Sequence, residues 1–483
     1  MLTGRTIQYE LAERDRAIGC GGIGVIHQLA RRVGLIESID DRVRLLKRHL
    51  PYHESDHVLS LAYNILAGGT CIEDLERLRT DEAFLDALGA QRIPDPTTAG
   101  DFCRRFENEQ QVLDLMEAIN HSRLRVWKQQ EPAFFQQARI DADGTIAPTF
   151  GECKQGMNIS YDGQWGYHPL LISLANTKEP LYLLNRPGNR PSHEGADAYL
   201  DKAVALCREG GFKSILLRGD TDFMQTWKLD EWDAAGDITF IFGADARKPM
   251  ITRAELLSES DWQRLQREPK YEVKTQERAR PQNVKERIVV EKGFKNFVLQ
   301  WEDIAEFEHR PDKCKKAYRV IALRKRISVE QGQDKLFEEY RYFFYITNDR
   351  ASTPRQIVLL ANDRCDQENL IEQLKNGVRA LRNPLDNLYS NWAYMVCCTL
   401  AWTLKSWCGL LMPTAPGPHA QAHRQQKQSL LTMEFKTFAN ALVKLPCQIV
   451  RTGRRILYRL LSWNPWTGVL LRLSESMRLP LRC

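Results

Sequence analysis

Ser214-Ile-Leu-Leu-Arg-Gly-Asp220 is a short apolar run closed by an aspartate, and its reading decides the fold. A run this short and this apolar suits a strand buried on both faces of a sheet. Before it, Glu194–Arg208 reads as a helix ending at Gly210-Gly211. Further upstream, Ala138-Arg-Ile-Asp-Ala-Asp143 alternates as a strand. Tyr167-His-Pro-Leu-Leu-Ile-Ser-Leu-Ala and Pro180-Leu-Tyr-Leu-Leu read as two more, and Asp237-Ile-Thr-Phe-Ile-Phe-Gly follows as another.

The order β-β-β-α-β-α-β is that of an RNase H-like α/β layer with a mixed sheet. Five segments follow. Residues 1–130 read as a helical N-terminal domain, whose short helices and Gly turns fit a DNA-binding domain and any small helical bundle equally well. Thr70-Cys-Ile-Glu73 is a capping box, Thr80-Asp-Glu opens a helix that stops before Gly89, and the helix from Ser55 ends at Gly68-Gly69. Gly19-Cys-Gly-Gly-Ile-Gly24 lacks the Gly-Lys-Ser/Thr ending of a phosphate loop and reads as a helix start. Residues 131–245 form the first part of the RNase H-like core. Residues 246–345 are charged and carry strand signals at Phe297, Tyr318 and Tyr340, so they read as a β-rich insertion domain. Residues 346–411 return to the core, with one helix after Thr353-Pro354 that carries Glu368. Beyond the Pro-rich break at Met412–Pro418 lies a helical, basic C-terminal region, 412–483.

The net charge of +6 is unevenly placed: residues 401–483 hold twelve Lys/Arg against two Asp/Glu, a surplus of ten, which leaves the first 400 residues at −4. A basic end of that kind suits a polyanion, and nucleic acid is the commonest. The twelve cysteines include no C-x-x-C pair, which argues against a zinc module or a secreted disulfide framework. The N-terminus has no apolar signal segment, and Tyr394–Met412, interrupted by Lys405, reads as a buried helix and not a membrane span. The expected location is cytoplasmic, associated with the nucleoid.

Asp143 ends the first strand and Asp220 the fourth, and in an RNase H-like sheet those strands are neighbours. Residues 364–375 add an R-x3-E-x6-K spacing. On a regular helix Arg364, Glu368 and Lys375 fall within a stripe roughly 40° wide, beside an apolar face of Leu370, Ile371 and Leu374. That spacing arises by chance in roughly one chain in ten, so it counts only alongside the two aspartates. Three gathered carboxylates repel one another and call for hard cations, Mg²⁺ or Mn²⁺. Two such ions suit in-line displacement at phosphorus, with Arg364 and Lys375 holding neighbouring phosphates. Each residue also has a plainer reading: the aspartates as turn or cap residues, Arg364–Glu368 as an i,i+4 ion pair, and His168, His53 and His57 as packed or exposed side chains. Asp141 and Asp143 lie two apart on one strand and share a side, so both stay open as the first ligand, while at the second site Asp220, directly after the apolar strand, is preferred to Asp222.

With those residues in hand, the chain resembles bacterial insertion-sequence transposases of the DDE class, of the "transposase DDE domain group 1" type. The markers are Pro96-Thr-Thr-Ala-Gly-Asp-Phe, Ile140-Asp-Ala-Asp-Gly-Thr, Gly166-Tyr-His-Pro-Leu, Leu217-Arg-Gly-Asp-Thr-Asp-Phe and the R-x3-E-x6-K helix. The family's Y-x2-R-x3-E-x6-K signature is met at Arg364, Glu368 and Lys375, with Ala361 in place of its tyrosine. The resemblance favours Asp143 over Asp141. It implies two Mg²⁺ ions (Mn²⁺ a substitute) on Asp143, Asp220 and Glu368, and cleavage of double-stranded DNA at inverted-repeat ends. It also implies joining of the freed 3′-OH to target DNA by a homodimer on paired ends. The alternatives are a metal-dependent nuclease without strand joining, or an inactive descendant that only binds DNA.

Overall fold

The computed structural model describes residues 16–151, 153–268, 295–331, 334–414, 417–452, 455–461, 463–479 and 481. The reading of the extreme N-terminus and part of the β-rich segment, 269–294, lie outside them.

A short strand β1 (Arg16–Ile18) leads into seven helices: α1 (Ile23–Arg32), α2 (Leu35–Arg42), α3 (Glu54–Leu66), α4 (Leu75–Arg79), α5 (Glu82–Leu88), α6 (Pro96–Arg104) and α7 (Glu109–Trp127). The expected stops hold: Asp81 caps α5, and Gly89 closes it in the left-handed region at φ 65°. The capping box near Thr70 uses a different acid. Asp74, not Glu73, accepts from the Thr70 N–H at 2.6 Å, because the cap falls at Cys71, one residue later, and the box runs Cys71 to Asp74.

The sheet elements follow: β2 (Ala138–Gly144), a small outlying group β3 (Ala147–Pro148), β4 (Asn158–Ile159) and β5 (Trp165–Tyr167), then β6 (Leu170–Leu174) and β7 (Glu179–Leu184). Helix α8 (Ala196–Glu209) leads to β8 (Ile215–Gly219), and α9 (Leu229–Ala234) to β9 (Ile238–Ala244). Then come α10 (Lys248–Glu255), β10 (Gln263–Arg264) and three long strands, β11 (Asn296–His309), β12 (Tyr318–Gln331) and β13 (Asp334–Thr347). Nine of these strands make one sheet in the order β10-β11-β12-β13-β9-β8-β2-β6-β7. β2, β8 and β9 run parallel, while β6 and β7 form antiparallel hairpins beside β2. The segment expected to be β-rich therefore extends the central sheet, since β13 pairs antiparallel with β9.

The β8 run is buried on both faces, as its composition demands. Ile215 and Leu217 join the main core, while Leu216 faces a second cluster with Ile241, Ile321, Ile357 and Val358. That second cluster seats α11 (Pro354–Asn362), whose N-terminus is capped by Thr353 and Gln356.

The single helix expected after Thr353-Pro354 is broken. After α11 the chain kinks, α12 runs Cys365–Glu372, and Gln373–Gly377 form a π-helical turn. Arg364 caps α12 and Lys375 lies in the π turn, so the regular 100° stripe does not apply to them. The C-terminal region also departs from the helical expectation. After α13 (Leu388–Leu410), α14 (Ala420–Thr432) and α15 (Phe435–Phe438) comes a hairpin, β14 (Cys447–Thr452) and β15 (Arg455–Leu460), before α16 (Thr467–Ser476). Cys447 and Ile449, two apart, both buried and paired with Ile18 and Arg16 of β1, favour strand over helix, and the order is β1-β14-β15.

Helix α13 is buried almost throughout, and none of the described helices is long and apolar enough to cross a membrane. Lys405 inside it donates to the Leu431 carbonyl at 2.9 Å and lies 3.9 Å from the Trp402 ring centroid. Helices α7 and α13 clasp β7 through one buried carboxylate. Glu179 accepts from Arg123 Nε (3.1 Å), Trp127 Nε1 (3.1 Å), Trp407 Nε1 (2.9 Å) and Thr177 Oγ1 (2.6 Å). Removing one partner of such a pair leaves a buried charge unmatched. Glu179→Ala should cost about 3–5 kcal/mol, read from the urea unfolding midpoint.

Candidate functional site

The site is set by one register. In the parallel β2–β8 ladder Asp141 lies opposite Arg218, and the two form a buried ion pair, Nε–Oδ1 2.7 Å and Nη2–Oδ2 2.8 Å. Arg218 Nη1 also donates to the Leu360 carbonyl at 2.7 Å, near the C-terminal end of α11, where free carbonyls attract cations. Asp141 is thus sealed inside. Two residues on, Asp143 reaches the open end of β2, and Asp220 follows the last residue of β8.

Asp143 and Asp220 both border a cleft of about 1390 Å³, whose walls include Lys154, Arg190, Lys375 and Arg382. Asp220 is also a turn cap, accepting from the Asp222 N–H at 3.0 Å. Arg364 stands between the two acids and donates from Nη1 to Asp143 Oδ2 at 3.0 Å. Burial pushes Asp143 up from 3.8 to about 6; Arg364 pulls it back and Asp220 adds to the rise. Burial raises Asp220 too, again opposed by Arg364. For Arg364 burial works downward, but Asp143, Asp220 and Asp141 outweigh it and leave the guanidinium firmly charged.

Gln367 fixes the roll of α12. Its Nε2 donates to the Asp141 and Leu171 carbonyls, both at 3.1 Å, so Gln367 faces the sheet. Glu368, one residue on, is rotated about 100° away and is exposed. The structure therefore brings together Asp143, Asp220 and Arg364, and sets Lys375 on the same cleft, with Glu368 on the outer side of α12. Among the described residues, no three His, Cys, Asp or Glu side chains cluster closely enough to hold one metal ion. Two carboxylates against a single guanidinium still make a net-negative pair of oxygen donors, which suits a hard divalent cation.

The histidines follow the plain readings. His57 stacks on Phe102 with centroids 4.4 Å apart, and His168 Nδ1 donates to the Arg190 carbonyl at 2.8 Å. His168 Nε2 lies 2.8 Å from where a Cβ on Gly144 would sit, which accounts for glycine after Asp143. Sequence reasoning missed Arg218, although its Leu-Arg-Gly-Asp setting could have flagged a charge inside a buried strand. It also missed Tyr345, which shares a smaller cavity of about 320 Å³ with Asp220, Ala361 and Arg364. No local signal points to Tyr345, because β13 meets α11 only through the fold.

The raised Asp143 gives a signed pH effect. Its folded value exceeds the unfolded one, so the stability it contributes is present below about pH 4 and is lost as pH rises through about 6. In metal-free buffer, Asp143→Asn should be more stable than the parent by about 2–3 kcal/mol at pH 8. Urea melts at pH 8 and below pH 4 test this, with the difference vanishing at the lower pH.

Residues 16–480 match the family described as "Transposase DDE domain group 1". No curated protein matches the chain. Eight chains of solved structures do. One is described as a cryo-EM structure of the piggyBac transposase synaptic complex with hairpin DNA. It is 11% identical, with 89% of this chain and 84% of that one covered and a TM-score of 0.36. With a match that spans nearly its whole length, the chain belongs to the transposase DDE domain group 1 family.

Proposed function

We propose that the chain is the transposase of an insertion sequence, cutting double-stranded DNA at terminal inverted repeats and joining the 3′-OH ends to target DNA. The observation that carries this is the placing of Asp143 and Asp220 at adjacent ends of parallel strands, on a cleft walled by Lys154, Arg190, Lys375 and Arg382. The strand order β7-β6-β2-β8-β9, with β8 and β9 parallel to β2, supports an RNase H-like core made of 131–245 and 346–411. On this reading the N-terminal helices and the basic residues 412–483 hold DNA, and the working unit is a homodimer on paired ends.

Asp143 and Asp220 would hold divalent metal, Mg²⁺ or Mn²⁺, and Glu368 is the proposed third ligand. It lies one turn beyond Arg364 on the exposed side of α12, so its use as a ligand calls for α12 to roll toward Asp143 and Asp220. When bound, two such ions supply Lewis acidity at phosphorus. The chain's own groups do the rest. Lys375, Arg382, Lys154 and Arg190 draw the backbone into the cleft, and their charge makes binding steeply salt-dependent. Arg364 holds the Asp143–Asp220 repulsion in check before DNA arrives, and a phosphate can then take its free N–H groups. The phenol of Tyr345 lies on the cavity beside Ala361, where the family signature has its tyrosine.

Asp220→Asn and Glu368→Gln should each bring donor excision to the level of a no-protein control; normal excision by either would overturn the site assignment. Arg364→Ala should bind Mn²⁺ about tenfold more tightly in calorimetric titration without DNA, because about 1.4 kcal/mol of competing attraction is removed. The same variant should bind end DNA more weakly.

A further inference from the structure

The outlying group β3, β4 and β5 and its connecting turns carry three large aromatic side chains that the fold leaves outside: Phe150 just after β3, Tyr161 in the β4–β5 turn and Trp165 on β5. Phe150 is 98% exposed, Tyr161 88% and Trp165 55%. Ile159, directly across from Trp165 in the ladder, is also exposed. One exposed aromatic is ordinary; a group of them beside a functional cleft calls for an occupant.

The backbone beneath the group is tied down by hydrogen bonds. At the β4–β5 tip the Ser160 N–H donates to the Gln164 carbonyl (2.8 Å) and the Gly163 N–H to the Ser160 carbonyl (3.0 Å). Gln164 Nε2 donates to Asp162 (2.7 Å), and Gly163 takes the left-handed conformation at φ 81°. These bonds lock a short tip that presents Tyr161. Below, the Tyr167 hydroxyl donates to the Gln155 carbonyl at 2.8 Å, Gly188 N–H bonds the Gly166 carbonyl at 3.0 Å, and Lys154 Nζ bonds the Asn383 carbonyl. The base of the group is anchored to the core while its aromatic face stays open.

That face is continuous with the site. Phe150 and Tyr161 border the cleft that contains Asp143 and Asp220. Phe150 also borders an adjoining cavity of about 610 Å³, formed with Pro148, Thr149, Met157, Gln164 and Trp165. Apolar and aromatic surface here meets Lys154, Arg190 and Arg382. Flat π surfaces next to cations match a nucleotide whose base has left the stack: rings take the base and cations its phosphates.

We propose that Phe150, Tyr161 and Trp165 form a stacking platform for one or two unpaired bases of the DNA next to the phosphate being cut. The inference rests on the transposase reading and adds to it a preference for locally opened DNA. A paired duplex offers the platform no free base face, whereas unpaired nucleotides gain stacking without first breaking a pair.

The test uses the full chain without divalent ions and two fluorescent duplexes that carry its own inverted repeat. One is paired throughout; the other has two unpaired nucleotides at the cleavage position. The parent should bind the opened duplex about tenfold more tightly. Phe150→Ala/Tyr161→Ala/Trp165→Ala should bind both equally while keeping its affinity for the paired duplex. These exposed side chains contribute little to the core, so an unchanged melting temperature is expected of the variant. No preference in the parent, or a preference retained by the variant, overturns the platform and leaves the transposase reading standing. No binding to either duplex overturns both. A variant that keeps the preference but changes oligomeric mass would place protein on the platform and overturns the inference as well.

Discussion

The Arg218–Asp141 ion pair is the constraint on which the site depends. A buried pair of this kind is a poor source of net stability, because desolvating two charges offsets much of their attraction. Its value here is register. Slipping β8 by one residue against β2 would send Arg218 to the opposite face and separate it from Asp141, which would then be buried without a partner. The same slip would carry Asp220 away from Asp143. The third bond of Arg218, to the Leu360 carbonyl, extends this constraint to the helix above the sheet. One guanidinium therefore fixes strand pairing, the end of α11 and, through the kink that follows, the origin of α12.

Electrostatics then divides two similar acids into different roles. Asp141 receives two charge-assisted hydrogen bonds and is spent on structure. Asp143, two residues along the strand, is half sheltered, pushed upward by burial and restrained by Arg364. The arrangement is poised: removing the Arg364 guanidinium would leave the two carboxylates unscreened. Gln367 contributes by fixing the roll of α12, so the polar edge of that helix depends on one amide bridging two strands.

Much of this was legible in the sequence where the local pattern and the final environment agree. Ala138–Asp143 and Ser214–Asp220 read as strands because alternation and full burial each leave a plain trace, and their closing aspartates were visible as such. The buried character of Tyr394–Met412 was equally plain despite Lys405. The misses have physical reasons. A helical wheel assumes an unbroken helix, whereas Arg364 is pulled toward Asp143 and the turn at Gln373–Gly377 widens, which shifts Glu368 and Lys375 relative to each other. That Asp141 is engaged inside the sheet could not be read locally, because its partner Arg218 is 77 residues away. The β14–β15 hairpin was hidden because its pairing strand, β1, lies at the other end of the chain. Asp74 replaced Glu73 because the helix cap falls at Cys71, one residue past Thr70.

Closure of β1 on β14 has a consequence for synthesis. Arg16 pairs with Ile449, and Gly21 and Gly22 donate to the Leu445 and Val443 carbonyls so closely that a Cβ on Gly22 would lie 1.8 Å from the Leu442 oxygen. The first described strand therefore waits for a partner made more than four hundred residues later. At about 5–20 residues per second, that delay is on the order of twenty to ninety seconds. Through that interval the emerging helices are present without their closing strand, so an interrupted translation product lacks the finished N-terminal layer. Synthesis of β14 thus sets when the N-terminal layer can close.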